Sequence, residues 1–236
     1  FYMVYDPATE ILPTVGASEG LDLVLRSILN PGDEIIVCEP CYVNYQPLSD
    51  LCNAKVIHLD TSVNGFYPTA EQIESVCTPK TKAIMFCSPS NPTGMLYTKD
   101  ELKGIADVVA KHPNVFVMAD EIYEHINFVG KHESIAQFES IRDRVITVNG
   151  VAKGFAMTGW RIGFIAAAPV IAKACNKLQG QVTSATCSIA QKATVKAMMM
   201  DPATSKDIID MRATFLKRRD LVYKLLNEIP GVKVRM

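Results

Sequence analysis

Lys153 and Arg161 are the residues of this sequence best placed, by type and spacing, to do chemistry. Both lie in the stretch from Val148 to Phe164, which reads V-N-G-V-A-K-G-F-A-M-T-G-W-R-I-G-F. The lysine follows an apolar run, where burial favours the neutral amine and frees a nucleophile for Schiff-base formation. The arginine sits in a turn bracketed by glycines that leads into another apolar run, where its planar fork can meet a phosphate. Together the pair suits an aldehyde that carries a phosphate. A strand end followed by a basic turn would contain the same two residues, so the rest of the chain has to decide between these readings.

Four other stretches hold residue types that such a ligand would use. Gly16-Ala17-Ser18-Glu19-Gly20 is a small-residue turn between an apolar run and a helical pattern. Free N–H groups at a helix start, a small Ala17 and the Ser18 hydroxyl make an anion site, although a plain N-cap by Ser18 fits the same residues. In Glu39-Pro40-Cys41-Tyr42, the Tyr42 ring stands past a strand end, where it can stack on a flat ligand or pack into the core. Ser88-Pro89-Ser90-Asn91-Pro92-Thr93-Gly94 is a loop stiffened by two prolines that fixes the Asn91 amide. In Met118-Ala119-Asp120-Glu121-Ile122-Tyr123, Asp120 ends an apolar strand. A carboxylate there needs a cation unless it merely caps a helix, and a pyridinium nitrogen would be such a cation. Tyr123 joins it on the same side if the chain turns helical.

The elements that must position these residues are legible as alternating patterns. Short apolar runs at Ile11–Val15, Glu34–Cys38, Lys55–Leu59, Ala83–Cys87, Val115–Ala119, Val145–Val148 and Ile162–Ala167 read as strands, with amphipathic stretches between them. We therefore expect a three-layer α/β/α architecture on a mostly parallel seven-stranded sheet. Ser18 to Leu29 reads as a helix with Leu21, Leu23, Val24, Leu25 and Ile28 on the sheet side, stopped by Asn30-Pro31-Gly32. Thr98 to Ala110 opens with Thr98 and Glu101 in capping-box spacing. Thr204 to Glu228 is a long periodic segment, about 37 Å as a helix, so residues 1–203 form a large domain and 204–236 a long helix that starts a second one.

Composition narrows the class. The 236 residues are 48% hydrophobic and 21% charged with a net charge of −1, which offers no basic field for nucleic acid. Seven scattered cysteines without zinc spacing, no signal peptide and no bilayer-length apolar run point to reduced thiols in a cytoplasmic protein without membrane contact. The abrupt start at Phe1 and end at Met236 suggest a piece of a longer chain.

The motifs S-P-S-N-P-T-G, A-D-E-I-Y and N-G-V-A-K-G-F-A-M-T-G-W-R-I-G-F, in this order, resemble those of the class I/II aminotransferases of the fold-type I pyridoxal-phosphate enzymes, the bacterial aspartate/aromatic subgroup above all. The resemblance implies pyridoxal 5'-phosphate as cofactor, amino-group transfer between an L-amino acid and a 2-oxo acid, and a homodimer in the complete protein. It implies Lys153 as the Schiff-base lysine and proton carrier, Asp120 as partner of the ring nitrogen, Asn91 and Tyr123 as partners of the ring phenolate, and Tyr42 as the stacking ring. Gly16, Ala17, Ser18 and Arg161 would hold the phosphate. Cis peptides are implied at Glu39-Pro40 and Asn91-Pro92. Ala152 stands where many relatives have Ser, and Ser18 where some acidic-substrate members have Lys, which weakens the case for a dicarboxylate substrate. The resemblance also places the arginine for the substrate carboxylate outside this chain, so little turnover is expected from it alone. Two rivals are a carbon–sulfur β-lyase on the same scaffold, against which A-M-T-G-W-R argues, and a non-catalytic sensing domain of the kind found in certain transcription regulators.

Overall fold

Ile35 and Val37 face one side of their strand while Ile36 and Cys38 face the other, and all four are buried. A strand that is apolar on both faces needs helices on both faces, and the chain supplies them. The computed structural model describes residues 3–235. Seven strands, β1 (Ile11–Thr14), β2 (Glu34–Glu39), β3 (Lys55–Asp60), β4 (Thr81–Cys87), β5 (Phe116–Asp120), β6 (Val145–Gly150) and β7 (Gly163–Ala166), form one sheet in the order β1-β7-β6-β5-β4-β2-β3. All neighbours from β3 to β6 pair in parallel, whereas β7 runs antiparallel to both β6 and β1. Reversal of β7 brings its amino end to the edge where β1 and the five parallel strands finish. Loops from both directions of the chain therefore meet at one edge of the sheet.

On one face lie α1 (Gly16–Ile28), α2 (Tyr45–Leu51) and α5 (Pro169–Val182), packed over Val37, Met85, Met118, Ile146 and Ile165. The opposite face is covered chiefly by α4 (Lys99–Lys111), with the short α3 (Ala70–Val76) beside it. Leu102, Ile105 and Val109 of α4 bury against Ile84, Val117 and Val145. Helix α1 buries the five apolar residues that its periodicity predicts. Helix α4 opens as its sequence predicts, with the Glu101 N–H donating to the Thr98 hydroxyl at 3.3 Å and the Thr98 N–H to the Glu101 carboxylate at 2.6 Å.

Two more helices follow the sheet, α6 (Ser188–Met198) and α7 (Lys206–Asn227). The 22-residue α7 buries Ile208, but Phe215, Leu221, Val222 and Leu225 of its apolar stripe are exposed. All seven cysteines are free thiols. Among the described residues no helix is long and apolar enough to cross a membrane.

Candidate functional site

Asp120 is the last residue of β5, and the alternation of that strand turns it to the face of Met118 and away from Val117 and Ala119. It is 4% exposed. One carboxylate oxygen accepts the Ile122 N–H at 3.2 Å, and the other accepts the Tyr45 hydroxyl at 3.0 Å. Burial nevertheless dominates and pushes the carboxyl up to about 6, with the two hydrogen bonds and the Lys153 charge acting in the opposite direction. No side-chain cation forms an ion pair with Asp120 among the described residues. The role of helix cap is excluded, because the chain after Asp120 forms hydrogen-bonded turns rather than a helix.

Those turns carry Tyr123 into the same space, with the Ile126 N–H donating to the Tyr123 carbonyl at 2.8 Å. Burial raises the Tyr123 phenol, as do the nearby Cys87 and Asp120, while Asn91 opposes them by hydrogen bonding. Asn91 belongs to a loop closed by the Ser90 N–H to the Met95 carbonyl at 2.8 Å. Cis peptides occur at Glu39-Pro40 and Asn91-Pro92 as expected, and also at Ser88-Pro89. Lys153 lies in the turn after β6, where the Ala156 N–H donates to its carbonyl at 3.2 Å. Its Nζ stands 5.7 Å from the centre of the Tyr123 ring.

Arg161 comes from the same loop, immediately before β7, and its backbone is left-handed at φ 54°. Its Nη1 donates to the Thr158 carbonyl at 2.8 Å. Two glycines allow the approach to α1. A Cβ on Gly16 (φ 73°) would collide with the Arg161 guanidinium, and one on Gly163 would strike the backbone of Gly16 and Ala17. Ser18 is not the cap of α1. That helix begins at Gly16, Val15 stands at the cap position, and its N–H donates to the Glu19 carboxylate at 2.6 Å. The Ser18 side chain is thereby left to line the cavity beside the unpaired N–H groups of the first turn.

Ala17, Ser18, Tyr42, Asn91, Asp120, Tyr123, Lys153 and Arg161 thus surround one cavity of about 220 Å³. Gly16 lies behind its wall, against Arg161. One functional contact was missed by the sequence reading, that of Tyr45, which is fully buried on α2 with its hydroxyl on Asp120 and its ring edge-on to Tyr42 at 5.9 Å. The spacing Tyr42-x-x-Tyr45 was the available signal, since one turn separates the two rings. Cys87 also lines the cavity, and burial, reinforced by the charge of Asp120, holds its thiol well above the usual range, which makes it inert.

Comparison with known proteins adds independent findings. Residues 2–236 match the family described as aminotransferase class I and II. The chain is 40% identical over 227 residues to the bifunctional aspartate aminotransferase and glutamate/aspartate-prephenate aminotransferase of Petunia hybrida, covering 95% of this chain and 47% of that protein. It is 40% identical over 231 residues to the aspartate/prephenate aminotransferase of Cereibacter sphaeroides, with coverages of 97% and 57%. Among solved structures, the aspartate aminotransferase from Rhizobium meliloti superposes with a TM-score of 0.91 at 36% identity, over 97% of this chain and 57% of that one. An aromatic aminotransferase from Pyrococcus horikoshii does so with the same score and identity, over 96% and 60%. The chain spans about half the length of the curated relatives it matches.

Proposed function

Because this chain belongs to the class I and II aminotransferases, we propose that it is the cofactor-holding part of a pyridoxal-phosphate enzyme that moves an amino group between an L-amino acid and a 2-oxo acid. The observation that carries the reading is Asp120, a buried carboxylate without a cation, placed in the same cavity as an amine and an anion cradle. A protonated ring nitrogen would supply that cation, and Gly16, Ala17, Ser18 and Arg161 would hold the phosphate at the other end. When bound, the cofactor supplies an electron sink for the charge left at the substrate Cα.

The residues divide the remaining work. Asp120 would hold a proton on the ring nitrogen, and the Tyr45 hydroxyl orients the carboxylate and favours its ionised form. Lys153 would hold the cofactor through its aldehyde and would carry the proton that leaves the substrate Cα. Asn91 and Tyr123 would donate to the ring phenolate, and Tyr42 would flank the ring face. In the complete protein the enzyme works as a homodimer.

Absorbance tests the assignment. Pyridoxal phosphate added to the purified chain is expected to give the band of a lysine-bound cofactor, and Lys153→Ala to abolish it with an unchanged far-ultraviolet circular dichroism spectrum. Persistence of that band in the folded variant would refute the role of Lys153.

A further inference from the structure

Lys153 and Tyr123 meet from two turns that end different strands. Tyr123 lies in the turn from Glu121 to Ile126 after β5, and Lys153 in the turn from Val151 to Ala156 after β6. Within the lysine turn, the Phe155 N–H reaches the Val151 carbonyl at 3.3 Å and the Ala156 N–H reaches the Lys153 carbonyl at 3.2 Å. Hydrogen bonds that long hold a turn weakly, so its shape depends on what packs against it. Glu124 and His125 reach it from the Tyr123 side, and neither lines the cavity that holds Lys153. Glu124 Oε1 accepts the Asn149 amide at 2.9 Å, and Asn149, buried near the end of β6, accepts the Gly150 N–H through its own Oδ1 at 2.7 Å. The carboxylate thereby holds the entry to the lysine turn.

His125 acts on the middle of the turn. A Cβ on Gly154 would stand 2.7 Å from His125 Cδ2 and 3.0 Å from His125 Cβ. The backbone of Gly154 is not left-handed, so the approach of the ring, rather than conformational freedom, requires glycine beside the lysine. The same ring meets Phe155 edge-on, with centroids 5.3 Å apart and planes at 88°. Burial lowers the His125 imidazole from its ordinary value, so at neutral pH it packs as an uncharged ring. We propose, resting on the role given to Lys153 above, that Glu124 and His125 are positioning residues that lock the two turns together and fix the lysine for capture of the cofactor aldehyde. The Lys153 Nζ is thereby held 5.7 Å from the centre of the Tyr123 ring. A shift of about 1 Å between groups that must react slows them by up to about a hundredfold. Holding of the ring and phosphate by Asp120 and α1 does not pass through this lock.

Two probes separate capture from holding. Pyridoxal phosphate mixed rapidly with the full chain reports, by absorbance, the rate at which the lysine-bound band appears. Pyridoxine 5'-phosphate carries an alcohol in place of the aldehyde, so its affinity reports the cavity without capture. Glu124→Ala and His125→Ala are each expected to slow capture by about 10- to 100-fold with pyridoxine 5'-phosphate affinity unchanged. Gly154→Ala, which displaces the ring from the other side, should do the same and stands in if an alanine variant does not fold. Glu124→Gln keeps an oxygen for Asn149, and His125→Phe keeps a ring against Gly154, so both should capture at the wild-type rate. In the cofactor-free chain, amide exchange over residues 150–156 should accelerate in the slow variants. Capture at the wild-type rate in every variant, or a matching loss of pyridoxine 5'-phosphate affinity, overturns the positioning role. If the wild-type chain itself gives no band, the functional reading falls, and the lock falls with it only where exchange is also unchanged.

Discussion

Replacing Asp120 with Asn tests the electrostatic core of the site without reference to turnover. In the folded chain the Asp120 carboxyl is raised from 3.8 to about 6, first by burial. At 1.36 kcal/mol per unit the difference is about 3 kcal/mol. The folded state binds the Asp120 proton more tightly than the unfolded state does. The associated stability is therefore fully present below about pH 4 and is lost as pH rises through about 6. Cofactor-free wild-type protein should thus lose about 3 kcal/mol from this one group between about pH 4 and pH 7. Asn keeps the shape and an oxygen for the Ile122 N–H but has no charge to bury. Urea unfolding followed by circular dichroism at several pH values gives the stability difference between the two proteins at equal m. That difference should be smallest near pH 4 and grow in favour of Asp120→Asn by about 3 kcal/mol by about pH 7. Adding pyridoxal phosphate should reverse the order, because a ring cation offsets the buried charge only in the wild type. A stability difference independent of pH would refute the reasoning, since it would mean that the carboxylate loses nothing on burial.

Two other substitutions bear on the supports of the site. Tyr45→Phe removes a hydroxyl that bonds to Asp120 at 3.0 Å and should cost about 1.5–3 kcal/mol at neutral pH, the range for hydrogen bonds to charged groups. In the Asp120→Asn background the loss should shrink, and a double-mutant cycle with no coupling would show that Tyr45 only packs. Gly163→Ala forces a methyl group into the backbone of Gly16 and Ala17, so about 1–3 kcal/mol of stability should be lost by overpacking. Pyridoxal-phosphate affinity, measured by absorbance titration, should fall with it, and unchanged affinity would show that the contact between α1 and β7 does not shape the anion end.

The strands were readable because each is a short apolar run, and the runs locate all seven to within two residues at either end. Their directions were not readable. Ile162–Ala167 has the same pattern run either way, and only its pairing with β6 and β1 shows that it is reversed. That reversal matters for function, because in a parallel arrangement Arg161, which precedes β7, would lie at the far edge of the sheet from Lys153. Helices with a full apolar stripe, such as α1, were readable for the same reason as the strands. Helix α2 was not, since its seven residues include Pro47 and bury only Tyr45 and Ser49.

Residues that act through type alone, such as a lysine after a strand or an asparagine between prolines, could be picked out from the sequence and are found around one cavity. Residues that act through a partner distant in the chain could not. Tyr45 and Asp120 are 75 positions apart, and the hydroxyl acquires its meaning only when α2 packs over the end of β5. The same holds for Glu121, which lies within the A-D-E-I-Y motif, and for Glu124 and His132 beyond it, which in the fold converge on a cavity behind Asp120. Alternation at the end of β5 connects the two cavities. Asp120 and Glu121 are consecutive, so the strand must send one carboxylate to each face, and each buried charge then requires its own compensating cation. On the Glu121 side that cation is His132, 3.2 Å away, and on the Asp120 side the proposed cofactor's ring nitrogen would supply it.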